Sequence, residues 1–153
     1  MLTIVIASDP LFQHSLATVV RENPHLFGTP SSSSMPNPTT SQGKESWSGL
    51  PIICDEVFTG LYRLGRISST SFLDFHADIS VHAKLLTGGL LPLSITLSSN
   101  EIYHAFQSSD KTDALLHGHS YTAHAIGCQV AETSLRRMIN MERDGEWKEF
   151  MKN

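Results

Sequence analysis

An α/β layer built on a mostly parallel sheet is the fold class this sequence predicts, and three observations predict it. Short apolar runs of the kind buried in parallel strands occur at Pro51-Ile-Ile-Cys54 and again at Ile79-Ser-Val81. Segments with helical apolar spacing lie between and beside such runs. Strands and helices therefore alternate along the chain rather than falling into separate blocks, which is the pattern of helices layered on a parallel sheet.

The elements follow in order. Met1–Ala7 is apolar and reads as a strand leading into a helix. Asp9-Pro10 starts that helix, with Asp as the N-cap and Pro at the first helical position. Leu11, Phe12, Leu16, Val19 and Val20 recur at helical spacing, and Asn23-Pro24 ends the element. These residues form an N-terminal piece, 1–28. Residues 29–49 are dominated by Ser, Thr, Pro and Gly without apolar periodicity, and they are expected to be a disordered insertion. A body from 50 to 143 carries the two strands above and a third run, Leu93-Ser-Ile-Thr-Leu97. Ser98 and Glu101 have capping-box spacing and predict a short helix through Ile102 and Phe106. Ile126, Val130, Leu135, Met138 and Ile139 predict a long helix from about Thr122 to Met141. Asp144-Gly145 interrupts it, and 144–153 reads as a charged, frayed tail.

Composition narrows the function classes. The 153 residues are 40% hydrophobic and 17% charged, which argues against a chain disordered throughout. With 15 acidic and 11 basic residues the net charge is −4, and a basic nucleic-acid-binding face is not expected. No apolar stretch approaches the about 20 residues that span a bilayer, and the N-terminus lacks the basic start of a signal peptide. Cys54 and Cys128 do not make a disulfide framework and fit a reducing, intracellular setting. Phosphate-loop, dinucleotide-binding and zincin motifs are all absent.

Three clusters could carry chemistry. Asp55-Glu56 follows an apolar strand, and ligands of open α/β sheets bind beyond the carboxyl ends of strands. An ordinary turn or cap acid is the competing reading of Asp55. Lys84 stands just past Ile79–Val81 and before Leu-Leu-Thr-Gly-Gly89, so its amine is a Schiff-base candidate if apolar surroundings desolvate it. A solvated loop lysine is the alternative. Leu115-Leu-His-Gly118-His-Ser120-Tyr-Thr122 leads into the long helix, where hydroxyls and backbone N–H groups suit a phosphate. Capping by Ser120 or Thr122 would explain it equally. Gly118-His-Ser120 approaches a nucleophile elbow but lacks its closing glycine, which leaves a serine hydrolase acting through Ser120 as a weaker reading. His117, His119 and His124 lack grouped cysteine partners, and no metal is expected.

Read together, Asp55-Glu-Val-Phe-Thr-Gly60, Arg63-Leu-Gly65, Asp78-Ile79 and Ala83-Lys-Leu-Leu-Thr-Gly-Gly89 resemble the signature of the class III pyridoxal-phosphate-dependent aminotransferases. DEVFTGLYRLGR, AKLLTGGLLPLSITL and LLHGHSYTAHAIGC, with Asp9-Pro-Leu-Phe-Gln13, look most like the diaminopelargonic acid aminotransferases of biotin synthesis. The resemblance extends to the fungal and plant form fused to dethiobiotin synthetase. The likeness covers Asp9–Glu22 and about Leu50–Leu135. Ala123 and Ala125 stand where the family commonly has Gly and Pro.

The resemblance implies a partial large domain of the fold-type-I pyridoxal-phosphate-dependent transferase fold. It implies that Asp55 pairs with the pyridine nitrogen, that Val57 packs on one ring face, and that Lys84 forms the Schiff base and then shuttles a proton. It further implies that Gly118 and Ser120 hold the cofactor phosphate and that Arg63 lies near the substrate entrance. The reaction implied is amino transfer to 8-amino-7-oxononanoate, with S-adenosylmethionine as donor, in a homodimer that is mitochondrial or cytoplasmic. The family's upstream phosphate loop, second ring-stacking aromatic and C-terminal domain have no counterpart here. A fragment is therefore expected, and a non-catalytic truncated remnant or gene-model fragment lacking the complete active site is the alternative.

Overall fold

The structure, a computed structural model, describes residues 2–5, 9–27, 50–113 and 124–150. The expected insertion at 29–49 lies outside them. Four strands form one sheet in the order β1 (Leu2–Val5), β2 (Ile52–Asp55), β3 (Ile79–His82) and β4 (Ile95–Ser98). β2 is parallel to both β1 and β3, with Cys54 opposite Ile4 and Asp55 opposite Val81. β4 runs antiparallel to β3, pairing His82 with Ile95 and Ile79 with Ser98. The reversal has a local cause. Between β3 and β4 the chain makes only a single 3-10 turn, Lys84–Leu86, and two left-handed glycines, Gly88 and Gly89 at φ +61° and +85°. A parallel return needs a long crossover, usually with a helix, whereas this short loop turns the chain straight back.

Helix α1 (Pro10–Glu22) begins as its sequence predicts: Asp9 Oδ1 accepts the N–H groups of Leu11 at 2.8 Å and Phe12 at 3.3 Å. Its buried face differs from the apolar stripe. Gln13, Ala17 and Val20 are buried, while Leu11 is 76% and Phe12 62% exposed. Small Ala17 lets the helix approach Ile52 and Cys54 of β2, and those four apolar side chains (Ala17, Val20, Ile52, Cys54) form the first core. The approach is fixed by charge. Arg21 Nη2 lies 2.6 Å from Asp78 Oδ2, and the same oxygen accepts the Ile52 N–H at 2.6 Å.

A second core gathers Leu61, Tyr62, Leu86, Ala131 and Met138. Its long helix, α3, spans Ala125–Arg143 and buries Gly127, Ala131 and Met138, leaving Ile126 67% and Ile139 46% exposed. The tail is not frayed over 146–150. There Glu146–Phe150 forms a short helix, α4, and Trp147 packs on Tyr62 with its ring N–H donated to the Met138 carbonyl at 3.1 Å. Helix α2 (Asn100–Ala105) is capped by Ser99, whose hydroxyl accepts from Ile102 N, rather than by Ser98, which β4 retains as its last residue. No helix among the described residues is long and apolar enough to cross a membrane.

Candidate functional site

Two neighbouring parallel strands end side by side, and the residues beyond those ends build the site. Asp55 closes β2 opposite Val81 of β3, and Lys84 follows β3 after His82 and Ala83. Ile52 and Cys54 face the first core, so the strand's alternation turns Ile53 and Asp55 to the opposite face. Asp55 is half-buried, and its Oδ1 accepts the Val57 N–H at 3.0 Å. The turn reading of Asp55 is thus realised locally, and the carboxylate still ends at the sheet's ligand-binding edge. Val57 is half-buried in the same turn.

Lys84 sits at φ +50°, a left-handed conformation that costs a non-glycine residue about 1–2 kcal/mol. The following residues explain its direction: Leu86 is buried in the second core and Ser134 donates to the Leu85 carbonyl at 2.9 Å. That anchoring leaves Lys84 on the exposed side. The desolvating apolar surround that the sequence suggests is therefore not formed by the described residues, because the flanking leucines turn inward and away from the amine.

Arg63 lies at the tip of the loop after β2, exposed, with its guanidinium carbon 4.6 Å from the centroid of Phe58. Gly118 and Ser120 lie outside the described residues, as do His117 and His119. His124 serves as the N-cap of α3, its Nδ1 accepting the Gly127 N–H at 2.8 Å, which gives that histidine a structural task.

Sequence reasoning gave Glu56 no role of its own. Glu56 is 1% exposed, and its carboxylate accepts the Ser68 hydroxyl at 2.6 Å and the Ser69 N–H at 3.0 Å. Its own N–H reaches the Val81 carbonyl at 2.9 Å, extending the β2–β3 ladder past Asp55. The run Ser68-Ser69-Thr70 was the signal, since hydroxyl-rich turns supply the donors a buried carboxylate needs. Gly60 is required beside it: a Cβ there would come within 2.9 Å of both the Glu56 carbonyl oxygen and His82 Nδ1. Burial first, and then the charges of Glu56 and Asp78, push the Cys54 thiol up to about 12, so it is an inert core residue.

A half-buried carboxylate and an exposed primary amine therefore stand at the carboxyl ends of adjacent strands. Such a pair suits a ligand with a basic ring nitrogen and a carbonyl carbon. A carboxylate can stabilise a protonated ring nitrogen, and a primary amine can act as nucleophile and proton carrier.

Comparison with known proteins points the same way. The family described as Aminotransferase class-III matches residues 47–151. A bifunctional dethiobiotin synthetase/adenosylmethionine-8-amino-7-oxononanoate aminotransferase of Emericella nidulans is 65% identical over 142 residues, covering 93% of this chain and 18% of that protein. A bifunctional dethiobiotin synthetase/7,8-diamino-pelargonic acid aminotransferase of Oryza sativa, named as mitochondrial, is 52% identical over 57% of this chain and 11% of its own length. The solved adenosylmethionine-8-amino-7-oxononanoate aminotransferase of Methanocaldococcus jannaschii superposes with a TM-score of 0.56 at 33% identity, over 65% of this chain and 23% of that one. The chain thus spans less than a quarter of each of these relatives.

Proposed function

The chain belongs to the class III aminotransferase family, as a partial fold-type-I large domain, and we propose that it carries the cofactor-anchoring segment of an aminotransferase of biotin biosynthesis. The reaction proposed is transfer of an amino group to 8-amino-7-oxononanoate, with S-adenosylmethionine as donor and pyridoxal phosphate as cofactor. The observation that carries the reading is the placement of Asp55 and Lys84 at the ends of two adjacent parallel strands, inside the motif spacing of the family.

The donor set fits pyridoxal phosphate, because a carboxylate suits its ring nitrogen and a primary amine its aldehyde. When bound, that cofactor acts as an electron sink for the carbanion at the substrate's α-position. Asp55 holds the ring nitrogen in its protonated form. Val57 packs against one face of the ring. Lys84 would hold the cofactor through Nζ, and the same nitrogen would take and return the substrate's proton. Gly118 and Ser120 are the residues proposed to hold the phosphate, and Arg63 is proposed to meet the substrate near the entrance. A second copy of the protein is the proposed partner. The rice relative's name supports a mitochondrial setting.

Mixing the purified chain with pyridoxal phosphate tests the assignment. Visible absorption is expected in the wild type and not in Lys84→Ala, and borohydride reduction followed by peptide mass mapping is expected to fix the adduct on Lys84. Identical spectra from the two proteins would overturn the role given to Lys84.

A further inference from the structure

His82 is a buried titratable group for which the proposed chemistry has no use. It closes β3 two residues before Lys84 and is 7% exposed. Its Nε2 lies 3.1 Å from Ser80 Oγ, while its Nδ1 is buried and meets no hydrogen-bond partner among the described residues. A buried N–H without an acceptor costs about 1–3 kcal/mol, so the ring carries its proton on Nε2, donates it to Ser80 and leaves Nδ1 bare. On the Nδ1 side the ring is therefore held by packing alone.

That packing is against the turn that follows Asp55. A Cβ at Gly60 would lie 2.9 Å from His82 Nδ1, 2.9 Å from the Glu56 carbonyl oxygen and 3.0 Å from Glu56 Cβ, so ring, glycine and glutamate crowd one point. Gly60 and Glu56 belong to a single turn, because the Gly60 N–H donates to the Glu56 carbonyl at 3.0 Å. The Glu56 N–H donates in turn to the Val81 carbonyl at 2.9 Å. Beyond the last paired residues, Asp55 and Val81, the two chain segments thus touch twice, once by that backbone bond and once through the His82 ring. Strand alternation sets Ser80 and His82 on the face shared with Cys54, opposite the Asp55 side chain, so the ring works from behind the site.

Lys84 needs such a hold. Its left-handed backbone persists only where the structure fixes it on both sides. Downstream, Leu86 is buried and the Leu85 carbonyl accepts the Ser134 hydroxyl. Upstream, Ala83 is extended and has no side chain to cap the turn, which leaves His82, seated on Gly60 and paired with Ile95 of β4.

We propose that His82 is a positioning residue for Lys84, a buried ring that ties the turn carrying Asp55 to the strand end carrying the amine. This rests on the aminotransferase reading above and adds to it a residue that acts through the backbone. The ring keeps carboxylate and amine at a fixed separation, and Gly60 is the seat that lets it do so.

Amide hydrogen exchange on the cofactor-free full chain, together with visible titration by pyridoxal phosphate, tests this. In His82→Ala the Glu56 and Leu86 N–H groups are expected to exchange about tenfold faster, with the Ile52 N–H, held by Asp78, unchanged. Affinity for pyridoxal phosphate is expected to fall about tenfold in the same variant. His82→Leu keeps branched bulk against Gly60 and is expected to restore both readouts to within about twofold. Ser80→Ala frees only the tilt of the ring, so about threefold effects are expected on each readout even if His82→Ala fails to fold. Unchanged exchange at Glu56 and Leu86 would overturn the proposal. Faster exchange with unchanged affinity would overturn it too, since the ring would then serve the fold alone. A wild type that gives no absorption with pyridoxal phosphate, while exchange still responds to the variants, counts against the aminotransferase reading and for the tie.

Discussion

The two cores are held by different means. In the first, α1 packs Ala17 and Val20 on Ile52 and Cys54, and one buried carboxylate, Asp78, ties helix to strand through Arg21 and the Ile52 N–H. In the second, loop residues Leu61, Tyr62 and Leu86 pack against Ala131 and Met138, and the fastening is an aromatic stack and a phenol–carboxylate bond. Left-handed non-glycine residues sit at Leu61, Tyr62, Asp74 and Lys84. Aspartate tolerates that conformation, so the costly three border the second core. Regular packing is concentrated where nothing chemical is proposed, and strain is concentrated where it is.

Breaking the first core's tie gives the largest effect. Asp78→Ala strands a part-buried guanidinium and the buried Ile52 N–H, and a loss of about 3–4 kcal/mol is expected in urea unfolding. Alkaline pH separates the two cores next. Burial and then the Glu142 carboxylate push the Tyr62 hydroxyl up, as burial does the Cys54 thiol. Both raised groups bind their proton more tightly when folded, so their contribution is whole below the unfolded value and lost as pH climbs toward the folded one. Cys54 begins to lose it above its ordinary 9.0, and Tyr62 above 10.0, each reaching about 12. Stability is expected to fall by about 1.4 kcal/mol per pH unit for each group. In Cys54→Ala the decline should start about one unit later, which urea melts between pH 8 and 11 would show. Gly60→Ala places a methyl 2.9 Å from Glu56 oxygen and His82 Nδ1, and about 2 kcal/mol of destabilisation is expected, measurable by thermal unfolding. Glu132→Gln breaks only the exposed α3 pair with Arg136, outside both cores, and about 0.4 kcal/mol or less is expected in the same melts.

Much of the first half of this picture was legible in the sequence. Asp9-Pro10 capped its helix as read, because capping is decided by neighbours in the chain. The apolar runs at 52–54 and 79–81 formed strands as read, and the long connection between them allows the parallel return. Helix faces were not legible. Ala17 is buried ahead of Leu11 and Phe12 because the sheet admits a small side chain at the closest approach, and no periodicity reports that distance. The direction of β4 depended on a loop too short for a crossover, and Ser99 displaced Ser98 as cap because β4 claimed the latter. The strand ends beside which Asp55 and Lys84 stand were readable from the apolar runs, whereas the buried contacts of Glu56 and Tyr62 were not. Tyr62 and Glu142 are separated by 80 positions, and only folding brings them together.

The left-handed turn at Lys84 carries an evolutionary consequence. Glycine would fit that backbone with less strain than lysine does. A lineage released from the need for the amine would gain folding stability by losing it, and drift there would run downhill. Under the role proposed for Lys84, the lysine is kept for its amine at a small cost in folding stability.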